Sequence, residues 1–254
     1  MTHALPKIDL IGIPLHAITE AQCVHHVMRG LDDGSGGWIV TPNLDHLRRL
    51  VNDPKFHALC SQADLLVADG MPLLWASRAQ KTPLPERVAG SNLISSLSAA
   101  LANRNGRVFL LGGDAGTAEE AARVLARRHP DLIVCGIDNP RVGTDIDAET
   151  IARLGRRLRW SRPDIVFVAL GSPKQEKLIR ALRAEYDTAW MIGVGISFSF
   201  LAGRVKRAPR WMQSIGLEWA HRLTQEPQRL ARRYLIDGIP FGIRLLVTSA
   251  SRRF

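Results

Sequence analysis

Three observations predict an α/β fold for this sequence: a mainly parallel sheet with one Rossmann-like half, helices on both faces, and a helical C-terminal appendage. Short apolar runs rich in β-branched residues recur along most of the chain. Helical patterns fill the gaps between them. The strand runs are apolar at consecutive positions, as strands covered on both faces must be.

In chain order the strand runs are "IDLIGI", "GWIVT", "DLLVAD", "RVFLLGG", "LIVCGI", "DIVFVAL" and "AWMIGVG". Helical stretches include Asp45 to Cys60, Pro72 to Gln80, Ser91 to Asn103, Thr117 to His129, Ala148 to Trp160 and Pro173 to Glu185. Asn103 to Gly195 holds four strand candidates separated by helices, the pattern of the Rossmann-like half. The first hundred or so residues make a companion half on the same body. Past Gly195 the strand rhythm stops. Two helices and a semi-apolar tail are expected there, the second helix starting at Glu226–Pro227. The organisation is therefore an α/β body over residues 1–203 and a basic amphipathic helical appendage over residues 204–254.

The composition is that of an ordinary globular chain, 46% hydrophobic and 23% charged. Cys23, Cys60 and Cys135 form no CxxC pair, so neither a disulfide framework nor a zinc site is suggested. A reducing cytoplasm fits this usage. The first twenty residues lack a basic stretch leading into a long apolar run, and nothing approaches the 18 or so apolar residues of a span, so neither a classical export signal nor a membrane crossing is expected. The formal charge of +10 is unevenly placed. From Arg204 onward, eleven lysines and arginines face Glu218, Glu226 and Asp237, a net of +8. A nearly neutral body thus carries a basic tail suited to an anionic partner. Arginines interleaved with Trp211, Trp219, Tyr234 and leucines suit the headgroup level of an anionic membrane. A helical hairpin packed on the sheet with a solvated basic face is the equal alternative.

Ligands of open parallel sheets bind beyond the carboxyl ends of the strands. The residues at those ends are Thr41, Pro42, Asn43 and Asp45; Asp69 and Gly70; Gly112, Gly113, Asp114 and Gly116; Asp138 and Asn139; Gly171, Ser172, Pro173, Lys174 and Gln175; and Gly195. "LLGGDAGTAEEAARVL" is a strand, a glycine turn and a helix opening, where free N–H groups and the helix dipole can meet a phosphate. A tight strand-to-helix connection explains the glycines equally well. Asp138 is placed to hold a ribose hydroxyl, or to form an Asx turn before Pro140. Asp69 is a carboxylate at a strand mouth, where its pKa can be tuned for proton removal; the competing role is a cap for the helix opening at Pro72. Thr41 and Asn43 are pocket candidates or turn formers around Pro42. Glu176 and Lys177 are expected to be solvated or paired. Asp145 and Asp147 have the DxD spacing of divalent-ion sites, but helix capping and dipole compensation account for them. His25, His26 and His46 show no ligand spacing. No metal and no cofactor is expected.

Six ordered blocks, "IVTPNLDHL", "ADGMPLLWASR", "ERVAGSNLI", "FLLGGDAGTAEEAARVL", "PDIVFVALGSPKQEKLI" and the run from "GVGISFSF" to "RLARRYL", together resemble the WecG/TagA/CpsF family of bacterial glycosyltransferases. The resemblance implies metal-independent, inverting transfer of a hexose or N-acetylhexosamine, or its uronate, from a UDP-sugar to a polyprenyl-diphosphate-linked sugar, at the cytoplasmic face of the cell membrane during polysaccharide assembly. It implies that Asp69 is the catalytic base, that Thr41 and Asn43 line its pocket, and that Arg87 and Gln175 lie at the sugar or diphosphate. It also implies that Arg222, Arg229 and Arg232 close over the site and neutralise phosphate charge. On this reading the backbone around Gly112, Gly113 and Asp114, and from Gly171 and Pro173 to Gln175, holds the uridine diphosphate, with Asp138 and Gly195 lining the same cleft. The sequence departs from the family at Asn92, Ile196 and Ser199 and in "CGIDNPRVG", which bears on sugar identity more than on reaction type.

Two other readings use part of the same residues. A nicotinamide-dependent oxidoreductase shares the glycine turn and Asp138 but leaves "TPN", "ADG" and the basic tail unexplained. A nucleic-acid-binding module would use the tail as its footprint; nucleic acid is not the expected partner.

Overall fold

The computed structural model describes residues 4–143 and 145–251, apart from the side chains of residues 210, 214 and 229. The chain opens with β1 (Lys7–Leu10) and β2 (Ile13–His16), an antiparallel hairpin outside the main sheet. The run "IDLIGI", expected as one strand, is therefore bent in two. Ile11 and Gly12 both take positive φ, and the Gly12 N–H donates to Asp9 Oδ1 at 3.0 Å, closing a two-residue turn.

The next elements are α1 (Glu20–Asp32), β3 (Gly37–Val40), α2 (Leu44–Asn52), α3 (Pro54–Cys60), β4 (Leu65–Leu66), α4 (Met71–Ala79) and α5 (Gly90–Ala102). Helix α1 is not among those read from the alternation; Thr19 and Gln22 start it with a reciprocal capping box. The single helix expected from Asp45 to Cys60 is two. Asp53 leaves the helical region and its carboxylate accepts from the N–H groups of Lys55 and Phe56, so Pro54 begins a new helix.

Then follow β5 (Arg107–Gly112), α6 (Thr117–Arg128), β6 (Ile133–Asp138), α7 (Ala148–Ser161), β7 (Ile165–Ala169), α8 (Lys174–Glu185) and β8 (Trp190–Gly193). The six strands β3 to β8 form one parallel sheet in the order β4-β3-β8-β7-β5-β6. From β5 the chain crosses first to β6 on one side and then to β7 on the other, opening a crevice at the β5/β7 carboxyl ends. The companion half adds β3 and β4 to the far edge of the same sheet. Two cores sandwich it. On β5 and β7, Val108, Leu110, Ile165 and Phe167 face a layer that includes Val27, Leu97 and Leu125, while Phe109, Leu111, Val166 and Val168 face one that includes Leu50, Leu158 and Leu178. Beside β4, His16 Nδ1 accepts the Leu66 N–H at 3.0 Å, so the hairpin covers that edge. Burial keeps the His16 ring below its ordinary pKa, consistent with an accepting nitrogen.

The C-terminal region departs from the expected two helices and tail. It forms α9 (Ser197–Leu201), α10 (Arg210–Ser214), α11 (Glu218–Gln225) and α12 (Pro227–Ala231), then a π-helical stretch, Arg232–Gly238, that runs into α13 (Ile239–Ser251). The semi-apolar tail is thus mostly helix. Phe241 and Leu245 of α13 are buried in the second core, while Ile236, Ile239, Ile243 and Val247 form an exposed stripe at helical spacing.

Candidate active site

Strand β4 ends three residues before Asp69, and the Asp69 N–H donates to the Pro42 carbonyl at 2.8 Å, joining it to the loop after β3. Helix α4 begins at an N-cap of Gly70, whose φ of 137° only glycine adopts freely, and it has no side-chain cap. The Asp69 carboxylate therefore does not serve that helix. It faces instead a small set of charges. Arg87 Nη1 lies 3.9 Å from Asp69 Oδ1 and 2.8 Å from Glu218 Oε2, while Arg87 Nη2 donates to Gln213 Oε1 at 3.1 Å. Arg207 Nε stands 3.7 Å from the other Glu218 oxygen, and Arg207 Nη2 donates to Asn92 Oδ1 at 2.7 Å. Burial raises the Asp69 carboxyl to about 6: Arg87 pulls it down, the Glu218 charge pushes it back up, and His46 and Arg207 lower it slightly. The side chain keeps 26% of its surface exposed, so it is reachable from the cleft.

Asn43 is the N-cap of α2, its side-chain Oδ1 accepting the His46 N–H at 3.0 Å, which is the turn-forming alternative. Thr41 lines a cavity with room for about one water, together with His46, Gln175, Glu176 and Gly193. Gly90, at the start of α5, backs onto this wall: a Cβ there would meet Thr41 Oγ1 at 3.1 Å and the Gly193 carbonyl at 3.2 Å.

Gln175 lies deeper than the sequence suggests. It is 5% exposed, its Nε2 donates to Glu176 Oε1 at 3.0 Å, and its Oε1 accepts the Gly195 N–H at 3.3 Å. It lies flat across Gly193, where a Cβ would fall 2.5 Å from its Nε2. Glu176, expected to be solvated or paired, is 2% exposed and stands 3.6 Å from His46 Nε2. Burial pushes its carboxyl upward, and His46 and Gln175 more than offset this, leaving it below the usual carboxylate range. Lys177 pairs with Asp145 at 3.6 Å.

The glycine turn forms the other half of the cleft. Gly112, Gly113 and Gly116 take positive φ, and a Cβ at Gly113 would lie 2.6 Å from Thr117 Oγ1. The Gly113 N–H is spent on the Ala169 carbonyl at 2.7 Å, so the β5/β7 crevice is closed at that point. Helix α6 starts beyond it at Gly116 without a side-chain cap, and Asp114 Oδ2 accepts from Ser199 Oγ at 3.3 Å. Across the crevice, Gly171 has positive φ and α8 begins after Pro173, also without a side-chain cap. Asp138 ends the edge strand β6 and is paired with Arg153 at 2.6 Å and with Arg157, an arrangement the sequence did not suggest. Asp147 caps α7, accepting the Thr150 N–H at 2.7 Å.

Of the expected arginines, Arg222 has a buried Nε without a hydrogen-bond partner among the described residues, and Arg232 is exposed. The side chain of Arg229 lies outside those described. Among the described side chains, the guanidiniums that act on Asp69 are Arg87, at 3.9 Å, and Arg207. Sequence reasoning missed Arg207, and missed Glu218 as more than a minor offset to the tail's charge. The only signal for either was its position inside the last family-like block.

The Glycosyl transferase WecG/TagA/CpsF family matches residues 8–254. A protein of Bacillus spizizenii is 33% identical over 202 residues, covering 80% of this chain and 76% of its own. One of Staphylococcus aureus strain MW2 is 29% identical over 228 residues, covering 89% and 87%. Both are named N-acetylglucosaminyldiphosphoundecaprenol N-acetyl-beta-D-mannosaminyltransferase. With a parallel sheet, an uncapped pair of helix openings at the strand ends and a carboxylate at the mouth of β4, this chain belongs to the WecG/TagA/CpsF family and is a glycosyltransferase.

Proposed function

We propose that this enzyme transfers an N-acetylhexosamine or a hexose from a UDP-sugar to a polyprenyl-diphosphate-linked sugar, inverting the anomeric configuration in one displacement. The observation that carries the reading is Asp69: a carboxyl raised to about 6, held at a strand end and engaged in no helix cap. As the acceptor hydroxyl oxygen bonds to the anomeric carbon, the bond from that carbon to the diphosphate oxygen breaks. The hydroxyl proton passes to Asp69, and UDP leaves with the bonding pair. A base with a pKa close to the working pH accepts this proton best.

The uncapped starts of α6 and α8 present N–H groups and the positive ends of two helix dipoles to the donor diphosphate. Charge growing on the leaving group is met by arginine, whose planar fork bonds phosphate oxygens in pairs. Arg87 and Arg207 stand nearest, with Arg222, Arg229 and Arg232 of the appendage as further contributors; no divalent ion takes part in this scheme. Thr41 and Asn43 shape the sugar pocket, and Gln175 works from below by fixing the Gly195 backbone rather than by touching the ligand. Residues 204–254 act as the appendage that closes the site and meets an anionic bilayer, the exposed Ile236, Ile239, Ile243 and Val247 entering the headgroup level on its cytoplasmic side. Among the described residues no helix is long and apolar enough to cross a membrane.

A panel of UDP-sugars offered with a short-chain prenyl-diphosphate sugar, with and without chelator, tests the substrate class. Asp69→Asn lowers turnover by about two to four orders of magnitude and leaves UDP binding intact. Unchanged turnover removes Asp69 from the role of base, and loss of activity with chelator removes the metal-free scheme.

A further inference from the structure

Arg87 is shared. Its Nη1 faces Glu218 at 2.8 Å and Asp69 at 3.9 Å, and its Nη2 is taken by Gln213. The closer partners, Glu218 and Gln213, both come from the C-terminal region, whereas Asp69 and Arg87 belong to the body. Arg207 braces the second Glu218 oxygen at 3.7 Å. The Glu218 side chain is 21% exposed and that of Arg87 15%, so solvent screens this competition only partly. A guanidinium that turned fully onto Asp69 would form a bidentate pair and occupy the oxygens a base must keep open.

We propose that Glu218 is a positioning residue for the reaction: it draws the Arg87 guanidinium away from Asp69, so that docking of the appendage leaves the base free to accept a proton.

The proposal rests on the assignment of Asp69 as the base. Among the described residues, the titratable groups facing that carboxylate are Arg87 from the loop before α5, Glu218 from α11, Arg207 from the segment before α10, and His46 from α2. Glu218 is the only acid among them. Its effect on Asp69 is an increase in basicity, opposite to that of Arg87 and Arg207. The appendage thereby supplies more than cations: it delivers the carboxylate that tunes the body's own acid. Without it, Arg87 and Arg207 act on Asp69 unopposed.

Glu218→Gln keeps the shape and a hydrogen bond to Arg87 while removing the charge. Two readouts on the full chain separate the possibilities: the titration midpoint of the Asp69 carboxyl, followed by NMR on protein carrying ¹³C-labelled aspartate and assigned with Asp69→Asn, and the acid limb of kcat/KM. Both are expected to move down by roughly one pH unit, and kcat on the alkaline plateau falls about threefold or more as the base weakens. Gln213→Glu, which adds a carboxylate to the same guanidinium, moves both upward. Glu218→Asp restores the wild-type midpoint, which a purely structural role for the side chain would not require. A midpoint that stays put in both Glu218→Gln and Gln213→Glu overturns the competition for Arg87. A midpoint that moves while the acid limb does not overturns the assignment of Asp69 as base, and the proposal with it.

Discussion

Phe167, in the middle of the sheet, has no exposed surface, whereas α11 buries none of its residues fully and meets the body through Glu218. Farther along, the appendage is tied by Arg233 Nε to Asp45 Oδ2 at 3.1 Å and by Asp237 to Arg48 at 3.9 Å. Apolar burial in the appendage comes from Phe241 and Leu245 of α13, with Leu230 of α12 and Ala208 also buried. The body is thus held mainly by area removed from water, whereas α11 meets it mainly through charge contacts. Burial is insensitive to salt and nearly so to pH; ion pairs respond to both. The closing role proposed for the appendage requires that it engage and release while the sheet stays rigid.

The largest effect that sharpens this contrast is expected in the sheet. Phe167→Ala leaves a cavity in a packed layer and costs about 3–5 kcal/mol, read as a drop in the urea midpoint. A loss below about 1 kcal/mol would mean that the core can collapse around the gap, and that the body is less rigid than its burial implies.

Asp69→Asn is next, and here the sign is informative. The folded carboxyl is raised from 3.8 to about 6, so its proton is bound more tightly in the folded chain. The associated stability is present below the unfolded pKa near 4 and is lost as pH rises through 6. Asparagine removes this loss. The variant is therefore more stable than wild type above pH 6, by on the order of 2–3 kcal/mol, and equal to it near pH 4. Thermal unfolding at the two pH values checks this, and a gain of equal size at both would detach the effect from ionisation.

How far the sequence reaches follows the same division. Strands β5 to β8 were legible because consecutive apolar residues leave little else for such a run to be, and the place of Asp69 just past β4 was legible because it closes the run "DLLVAD". The hairpin at Ile11–Gly12 was hidden: a non-glycine residue at positive φ has no reliable local signature, so "IDLIGI" reads as a single strand. Asp53–Pro54 was legible in principle, since an Asp before a Pro is a cap signal, yet the apolar period runs through it. The contacts of Arg87 with Glu218 and of Arg207 with Asn92 span more than a hundred residues. Charge counts along a chain do not show such pairings. The tail's net charge pointed to an anionic partner outside the molecule, while Arg233 is spent on Asp45 of the body, Arg204 on the Ala115 carbonyl, and Arg207 on Asn92 and the tail's own Glu218. The depth of Glu176 was missed for a related reason. A charged residue at a helix opening reads as solvated unless its partner across the fold, here His46, is already in view.

Arg233→Ala gives the smallest of the expected effects and addresses the appendage directly. Asp45 is nearly buried; burial presses its carboxyl upward, but Arg233, Arg49 and Arg48 outweigh this and hold it below the usual carboxylate range. The stability this contributes is present above the unfolded pKa near 4 and is lost as pH falls through the lower folded value, the reverse of the behaviour at Asp69. Removing Arg233 leaves Asp45 with its two neighbours on α2, at 3.1 Å and 3.5 Å, so the body keeps a satisfied carboxylate and loses only the tie to the π-helical stretch. The cost is about 1 kcal/mol, because the arginine is partly in water. Limited proteolysis between residues 203 and 217 reads the outcome. Cleavage quickens severalfold in Arg233→Ala, 0.5 M salt brings the wild-type rate toward it, and the urea midpoint of the sheet does not move. If that midpoint fell together with the protease resistance, the appendage and the sheet would be one cooperative unit, and the separation between a rigid body and a releasable cover would fail.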